Sequence, residues 1–514
     1  MISLVAASTI LATMPSAAQD QPSAAQDQPS TAQGQLSTAQ DQLSTAQNQP
    51  SAVQGQSSQV TPAGALTVGG YGEVALTRNF FSDNVYRYSK ASEYSDAKGH
   101  GRFDIPHAVI YLGYDFGKGW TMQTEIEFEH TGTGSTVEKE FTEAGEWETE
   151  IEKGGEVELE QFWIQKSFFP QLNVRMGHII VPVGGLNNAH EPLNFFTVYR
   201  PEGEFTILPS TWHDTGISVW GKAGAWKYEA LMVAGLDAFM FDRDNFIKNG
   251  AGSPFEFKVA NTYGFAARVD NTSISNLRLS LSGYAGNSMH NTYPNDLTNT
   301  RYADIKGTTL VGSFDFQYKS DFLTVRGNYD YGTVADASTI STVKRNLTAN
   351  NAPYRKLPVG KAAMAAGIEA GYDVLHLFHA AGRAAGTTGR KTGTGRAAGT
   401  IDRNAGTGRA AGTMDRKAAA GRAAGTMNRK GTIGQSGDRL YLFGRYEYYD
   451  SYIPAKDQQE YGFTQKHRMA VGINWFPLPQ IAVKAEYSRR FLKSMYNDEP
   501  SVSIGIAYMG FFNH

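Results

Sequence analysis

The 514-residue chain has no cysteine. Disulfide staples, thiolate-held metals and a lipid-modified N-terminal cysteine are therefore excluded. No run of eighteen or more residues is purely apolar, although hydrophobic residues make up 41% of the chain. Helices that cross a bilayer are excluded by the same count, whereas membrane strands, whose signal per segment is much weaker, are not. No phosphate-cradling glycine loop leads into a helix, and no nucleophile, base and orienting acid share one stretch. Nothing here points to an enzyme or to a bound cofactor.

What is present favours strands and turns. Aromatic residues are 12%, led by 28 Phe and 26 Tyr, and there are 55 Gly. Formal net charge is only −3, but it is unevenly spread. Segment 376–437 holds eleven Lys/Arg against two Asp, so the remainder of the chain is acidic.

Two repeats stand apart from the strand pattern. Residues 1–18 resemble a signal peptide, with an apolar stretch from Ile2 to Ala12 and small residues at Ser16-Ala17-Ala18. From Ser16 a seven-residue Ser/Ala/Gln unit follows, interrupted by Pro22, Pro29 and Pro50. Such a tract buries too little apolar surface to fold, and 19–62 reads as a disordered linker. The second repeat has a period of thirteen, with Gly-Arg-Ala-Ala-Gly-Thr starting at Gly382, Gly395, Gly408 and Gly421. We read 376–437 as a tandem duplication tolerated in a turn rather than an arm that binds nucleic acid.

Sixteen strand candidates follow within 63–514: 66–79, 103–116, 120–131, 157–168, 172–180, 212–221, 225–235, 257–269, 277–286, 306–318, 322–333, 360–374, 438–449, 465–476, 480–491 and 500–512. Their connections alternate short and long. Short ones include Gly117-Lys118-Gly119, Pro170-Gln171 and Ser320-Asp321. Aromatics flank them: Phe116 with Trp120, Phe168 with Phe169, Trp220 with Trp226, Tyr318 with Phe322, Trp475 with Phe476. Short turns at one end, long loops at the other and aromatic girdles predict an all-β fold. It is a transmembrane antiparallel β-barrel of about 16 strands, placed in the bacterial outer membrane. The final strand shows the alternation, with Val502, Ile504, Ile506, Tyr508 and Phe512 opposite Ser501, Ser503, Gly505 and Ala507.

Alternation also predicts the lumen. Met122, Thr124, Ile126 and Phe128 oppose Gln123, Glu125, Glu127 and Glu129; Val157 and Leu159 oppose Glu156, Glu158 and Glu160, with the phase blurring near Trp163. Carboxylates facing lipid are costly, so these rows are expected to line a pore. Later strands turn basic inward: Arg445, Lys466, Arg468, Lys484 and Arg490, with Glu486 among them, while Arg326 sits in a mixed row with Asn328 and Asp330. Acid early and base late predict a field across the lumen. Loop 132–156 reads as an acidic hairpin above the membrane. Loop 181–211 carries too much apolar surface for water and should fold into the barrel, placing His190, Glu191, Arg200, Glu202 and Glu204 at a constriction. No metal site is expected.

One stretch carries a family resemblance. Tyr114-Asp115-Phe116-Gly117-Lys118-Gly119-Trp120, Glu158-Leu159-Glu160-Gln161-Phe162-Trp163, Arg175-Met176-Gly177-His178 through Pro182-Val183-Gly184, and Thr215-Gly216-Ile217-Ser218-Val219-Trp220-Gly221 resemble the phosphate-selective porin O and P family of Bacteroides-like bacteria. The resemblance implies a sixteen-stranded homotrimer with an infolded third long loop. It also implies an anion-selecting ladder of Arg and Lys, from which the Glu-rich early strands depart. The expected function is passive diffusion of small hydrophilic solutes or ions through a water-filled lumen. The alternative is a barrel-anchored surface binder with a closed lumen.

Overall fold

The computed structural model describes residues 64–130, 135–140, 148–153, 156–209, 211–252, 258–291, 303–346, 356–377 and 438–513. The segments read as signal and linker, and the repeat beyond Leu377, lie outside these residues.

Nineteen strands are formed among the described residues. β1 is Ala65–Asn79, β2 Gly101–Asp104, β3 His107–Gly117, β4 Trp120–Glu129, β5 Ser135–Glu140, β6 Glu148–Lys153 and β7 Glu156–Phe169. β8 is Leu172–Ile180, β9 His213–Ala223, β10 Trp226–Val233, β11 Gly264–Asn271, β12 Leu277–Asn287 and β13 Thr308–Lys319. β14 is Leu323–Val334, β15 Ala362–Asp373, β16 Arg439–Ile453, β17 Gln465–Leu478, β18 Ile481–Phe491 and β19 Glu499–Asn513. β2 and β3 form one stave, both pairing with β1 on either side of Ile105-Pro106. Proline has no N–H to give the ladder, which explains the break. β5 and β6 pair only with each other, as the expected hairpin. The other strands run antiparallel in sequence order, and β19 returns to β1 with Val74 opposite Ile506. The result is a closed 16-stave antiparallel barrel, a transmembrane all-β fold. Closure pairs both edges of every stave, as a hydrocarbon surrounding demands.

All sixteen expected strands are present. The largest boundary shift is that of the strand expected from 257, which starts at Gly264, because Asn261 and Thr262 are tied to the neighbouring loop. Asn261 Nδ2 donates to His290 O at 2.8 Å and Thr262 N to Asn291 Oδ1 at 2.9 Å.

Every stave carries an exposed large apolar side chain, among them Ile110, Ile164, Leu281, Ile368 and Val471. On β19, Ile504 is 51% and Ile506 49% exposed, against 3% for Ser503. A belt of this extent needs lipid rather than water. Beside the short turns, Phe116, Trp120, Phe168, Phe169, Trp226 and Trp475 are exposed. Two of the aromatics read as girdle face inward instead. Trp220 Nε1 donates to Gln165 Oε1 at 2.8 Å, and the Phe476 ring lies 5.8 Å from Tyr441. Each is one residue out of phase with its outward neighbour, so alternation turns it into the barrel.

The interior holds an apolar core that the sequence reading only half foresaw. Besides Val181, Val183, Ile207 and Leu208 of loop 181–209, it takes in Phe239, Phe241, Phe246 and Ile247, as well as Met289 and Val359. Two short helices contribute, α1 (Glu202–Ile207) and α2 (Ala337–Asn346), the latter burying Ile340 and Val343. Several long connections thus fold inward, not one.

Candidate functional site

Loop 181–209 is anchored where it leaves the wall and where it crosses the lumen. At its base, Val181 N donates to Trp212 O at 2.8 Å, and Asn187 Nδ2 reaches Val181 O at 2.5 Å and Trp212 O at 3.1 Å. On the far wall, carboxylates accept backbone N–H groups. Val198 N donates to Glu486 Oε2 at 2.8 Å, Gly203 N to Glu447 Oε1 at 2.9 Å and Phe196 N to Glu369 Oε1 at 3.3 Å. Cations take the carbonyls: Lys484 Nζ donates to Pro192 O at 2.5 Å and to Phe195 O and Thr197 O at 2.9 Å each. The Phe196 ring stacks near Phe443 at 5.7 Å and lies on Gly371, where a Cβ would meet it at 2.3 Å. Charge-assisted bonds of this kind are roughly twice as strong as neutral ones.

The expected residues of the later strands converge here. Arg468 bonds Glu447 Oε2 at 3.0 Å, Glu486 Oε1 at 2.9 Å and Glu202 Oε2 at 3.1 Å. Arg490 reaches Glu202 Oε1 at 2.5 Å, and Lys466 lies 3.4 Å from Glu499 Oε2. Arg445 holds Glu447 Oε1 at 3.0 Å, and Arg326 holds Glu369 Oε1 at 2.7 Å. The late wall is therefore mixed, not basic. The sequence reading took Arg445 without Glu447, two residues on and on the same face, and missed Glu369. In the ladder Glu369 stands opposite both Arg326 and Arg445, and Glu447 opposite Arg468.

The early wall is different. Glu125, Glu127 and Glu160 are buried on the inward face, joined by Glu73 of β1, which the sequence reading passed over. Tyr71, Glu73, Ala75 and Thr77 alternate with Val74 and Leu76, and that signal was available. A bulge explains the blurred phase: Gln161 pairs with Glu125 while Leu159 pairs with Ile126, so Glu160 and Gln161 both point inward. Glu129 is half-buried, and Glu158 is half-buried with Oε2 3.8 Å from His213 Nε2. Glu156 pairs with Glu129 through its backbone; its side chain lies outside the described residues. Positive charge facing this group comes from Arg200, 3.8 Å from Glu127 Oε1. His107 Nδ1 is 2.5 Å from the same oxygen.

The five expected constriction residues are all inside. His190, Glu191, Arg200 and Glu204 are buried, and Glu202 is held between Arg468 and Arg490. Two residues apart on α1, Glu202 and Glu204 meet different surroundings. Burial favours the neutral form of Glu202, but the Arg490 and Arg468 guanidiniums outweigh it and hold its carboxyl below the usual range. Burial raises Glu204 well above that range, and the Asp330 and Asp315 carboxylates push the same way. A third charged group, Arg268 with Asp270 at 2.8 Å and Asp315 at 2.9 Å, holds Gly184 O at 3.0 Å. It was legible as alternation on β11 and β13 and was not read.

No family model matches the chain. A protein of uncharacterised function from Aquifex aeolicus is 22% identical over 448 residues, covering 84% of this chain and 78% of that one. Among solved structures, the anion-selective porin from Comamonas acidovorans has a TM-score of 0.45 at 10% identity, covering 87% of this chain and 100% of that chain. The outer membrane channel DcaP of Acinetobacter baumannii has a TM-score of 0.42 at 11% identity, with 89% and 99% covered. The barrel assignment stands on the closed strand ladder of this chain.

Proposed function

We propose that this protein is an outer-membrane porin that admits small hydrophilic solutes or ions by passive diffusion. The observation that carries the reading is a loop bound across a charged lumen by wall carboxylates and Lys484, inside a barrel whose outer face is apolar. A loop held this way narrows the lumen. The carboxylate rows of β4 and β7, together with Arg326, Arg445, Lys466, Arg468, Lys484, Glu486 and Arg490, are the pore lining we assign. The acid surplus of the early wall favours cations. No enzymatic role is assigned.

Kinship with the phosphate-selective O and P porins, and with it a homotrimer, rests on the sequence phrases alone. The acid surplus argues against phosphate as the preferred solute. A second reading, a barrel-anchored binder with a closed lumen, is favoured by one observation: Glu127, Glu160, Glu369, Glu447 and Lys484 are each only 1% exposed.

Planar-bilayer recording tests both. Steady open steps and a cation-side reversal potential under a KCl gradient are expected, in multiples of three if trimeric. Folded, heat-modifiable protein without conductance would leave the closed-lumen reading. An anion-side potential would restore phosphate selection.

A further inference from the structure

The seam between the infolded loop and the early wall contains a constellation that diffusion does not use. Glu125 of β4, Glu160 of β7 and His190 of the loop each bring one ligand atom within 4.8 Å of the others, all three side chains being buried. His190 is the informative member. Its Nδ1 lies 3.0 Å from Asn187 O, and its Nε2 is buried with no hydrogen-bond partner. Giving the Nδ1 proton to a carbonyl leaves Nε2 as a bare lone pair, the tautomer that metal sites fix in this way. Buried and unsatisfied, that nitrogen costs free energy until something fills it.

The carboxylates are oriented from behind. Gln161 Nε2 donates to Glu125, Thr211 Oγ1 to Glu160, and Tyr71 Oη reaches Glu160 Oε2 at 3.4 Å. Donors of this kind steady ligating carboxylates. Glu73 and Glu127 add negative charge beside the pair, and among the described loop residues Arg200 supplies the facing positive charge. Carboxylates buried in excess of cations call for a cation. A neighbouring trio, His107, Glu127 and Glu129, is less suited, because His107 Nδ1 is already engaged by Glu127 at 2.5 Å.

We propose that Glu125, Glu160 and His190 bind a divalent transition-metal ion, Zn2+ in the first place, and that the ion pins the loop to the wall. Two carboxylates and an imidazole suit zinc, with a water as fourth ligand; calcium and magnesium prefer oxygen alone. Ligand distances of about 2.0–2.2 Å put tetrahedral ligand atoms about 3.3–3.6 Å apart, so the trio, now within 4.8 Å, closes by about an ångström on the ion. The proposal uses the docked loop and does not depend on whether the lumen conducts.

The test uses the full chain folded in detergent micelles, stripped with EDTA, desalted and titrated with ZnCl2. About one tightly held Zn2+ per chain is expected, unaffected by millimolar Ca2+. His190→Gln and Glu160→Gln, each checked for folding by heat-modifiable migration, should weaken binding at least ~10-fold. Glu148→Gln/Glu150→Gln on β6 of the separate β5–β6 hairpin should leave it unchanged. No uptake by the wild type, equal uptake by His190→Gln, or displacement by Ca2+ overturns the site. Should both ligand variants misfold, Cu2+-loaded wild type decides: pulsed EPR must show imidazole nitrogen coupling, and its absence overturns the proposal. Conductance is not read, so a zinc-binding barrel that does not conduct sinks the channel reading alone.

Discussion

The two charged walls of one lumen use the same residue type in opposite ways. On β15–β18 every buried Glu meets a cation across the ladder or within the loop, as Glu369 meets Arg445 and Glu447 meets Arg468. On β4 the register places Tyr111 and Gln161 beside Glu125, and Val109 and Glu158 beside Glu127. Neutral or acidic partners leave that wall with unbalanced charge. Cross-strand neighbours, rather than the inward carboxylates themselves, decide whether a row is a fastening or a field. The compensated wall holds the loop by its backbone; the uncompensated wall faces it with surplus charge.

Identical substitutions should therefore act with opposite sign on the two walls. Glu447→Gln takes from buried Arg445 and Arg468 the anion they share, and leaves one neutral amide oxygen where a carboxylate served both guanidiniums and Gly203 N. It should cost about 3–5 kcal/mol, read as a lower urea midpoint for the barrel in lipid vesicles. Lys484→Met comes next. It strands three loop carbonyls and should cost about 2–3 kcal/mol, with protease cleavage appearing within 181–209. Glu125→Gln, measured in EDTA, keeps an acceptor for Gln161 and removes one charge from a like-charged group. It should raise stability by about 1 kcal/mol. A loss as large as that of Glu447→Gln would erase the distinction between the walls.

Strand periodicity carried most of the fold into view. Val502 to Tyr508 alternates without a fault, and all sixteen staves could be placed because lipid outside and polar groups inside enforce a period of two. Loop 181–211 was legible for a related reason: eleven large apolar residues cannot sit in water. The inward packing of Phe239, Phe241, Phe246 and α2 was not, since short apolar patches in separate loops become a core only when the barrel gathers them. Pairing was the least legible part. Glu369 lies seventy-odd residues before Arg445, beyond the repeat, and only the ladder makes them neighbours. The bulge that turns Glu160 and Gln161 the same way left no more than a blurred phase in the sequence. His190, read as a constriction residue, gains its other meaning only from Glu125 and Glu160 on strands far from it in sequence.

The finest version of the comparison lies within α1, where Glu202 faces the Arg490 and Arg468 side and Glu204 faces Asp330 and Asp315. Glu202 is lowered on folding, so its contribution is complete above its unfolded value, 4.5, and is lost as pH falls through the lowered one. Glu204 is raised, so the folded loop holds that proton more tightly than the unfolded chain does. Its contribution is complete below 4.5 and declines as pH rises toward the folded value. Glu204→Gln keeps an acceptor for Leu186 N, at 2.8 Å in the wild type, and removes the titration. Its stability relative to wild type should therefore improve as pH rises from about 5 to 8. Glu202→Gln should instead lose stability at both ends of that range, because Arg490 and Arg468 lose the carboxylate they share throughout. Thermal unfolding of the three proteins at several pH values separates the cases. Parallel wild-type and Glu204→Gln curves would mean that burial, with Asp330 and Asp315 beside it, does not raise the Glu204 carboxyl in the folded loop.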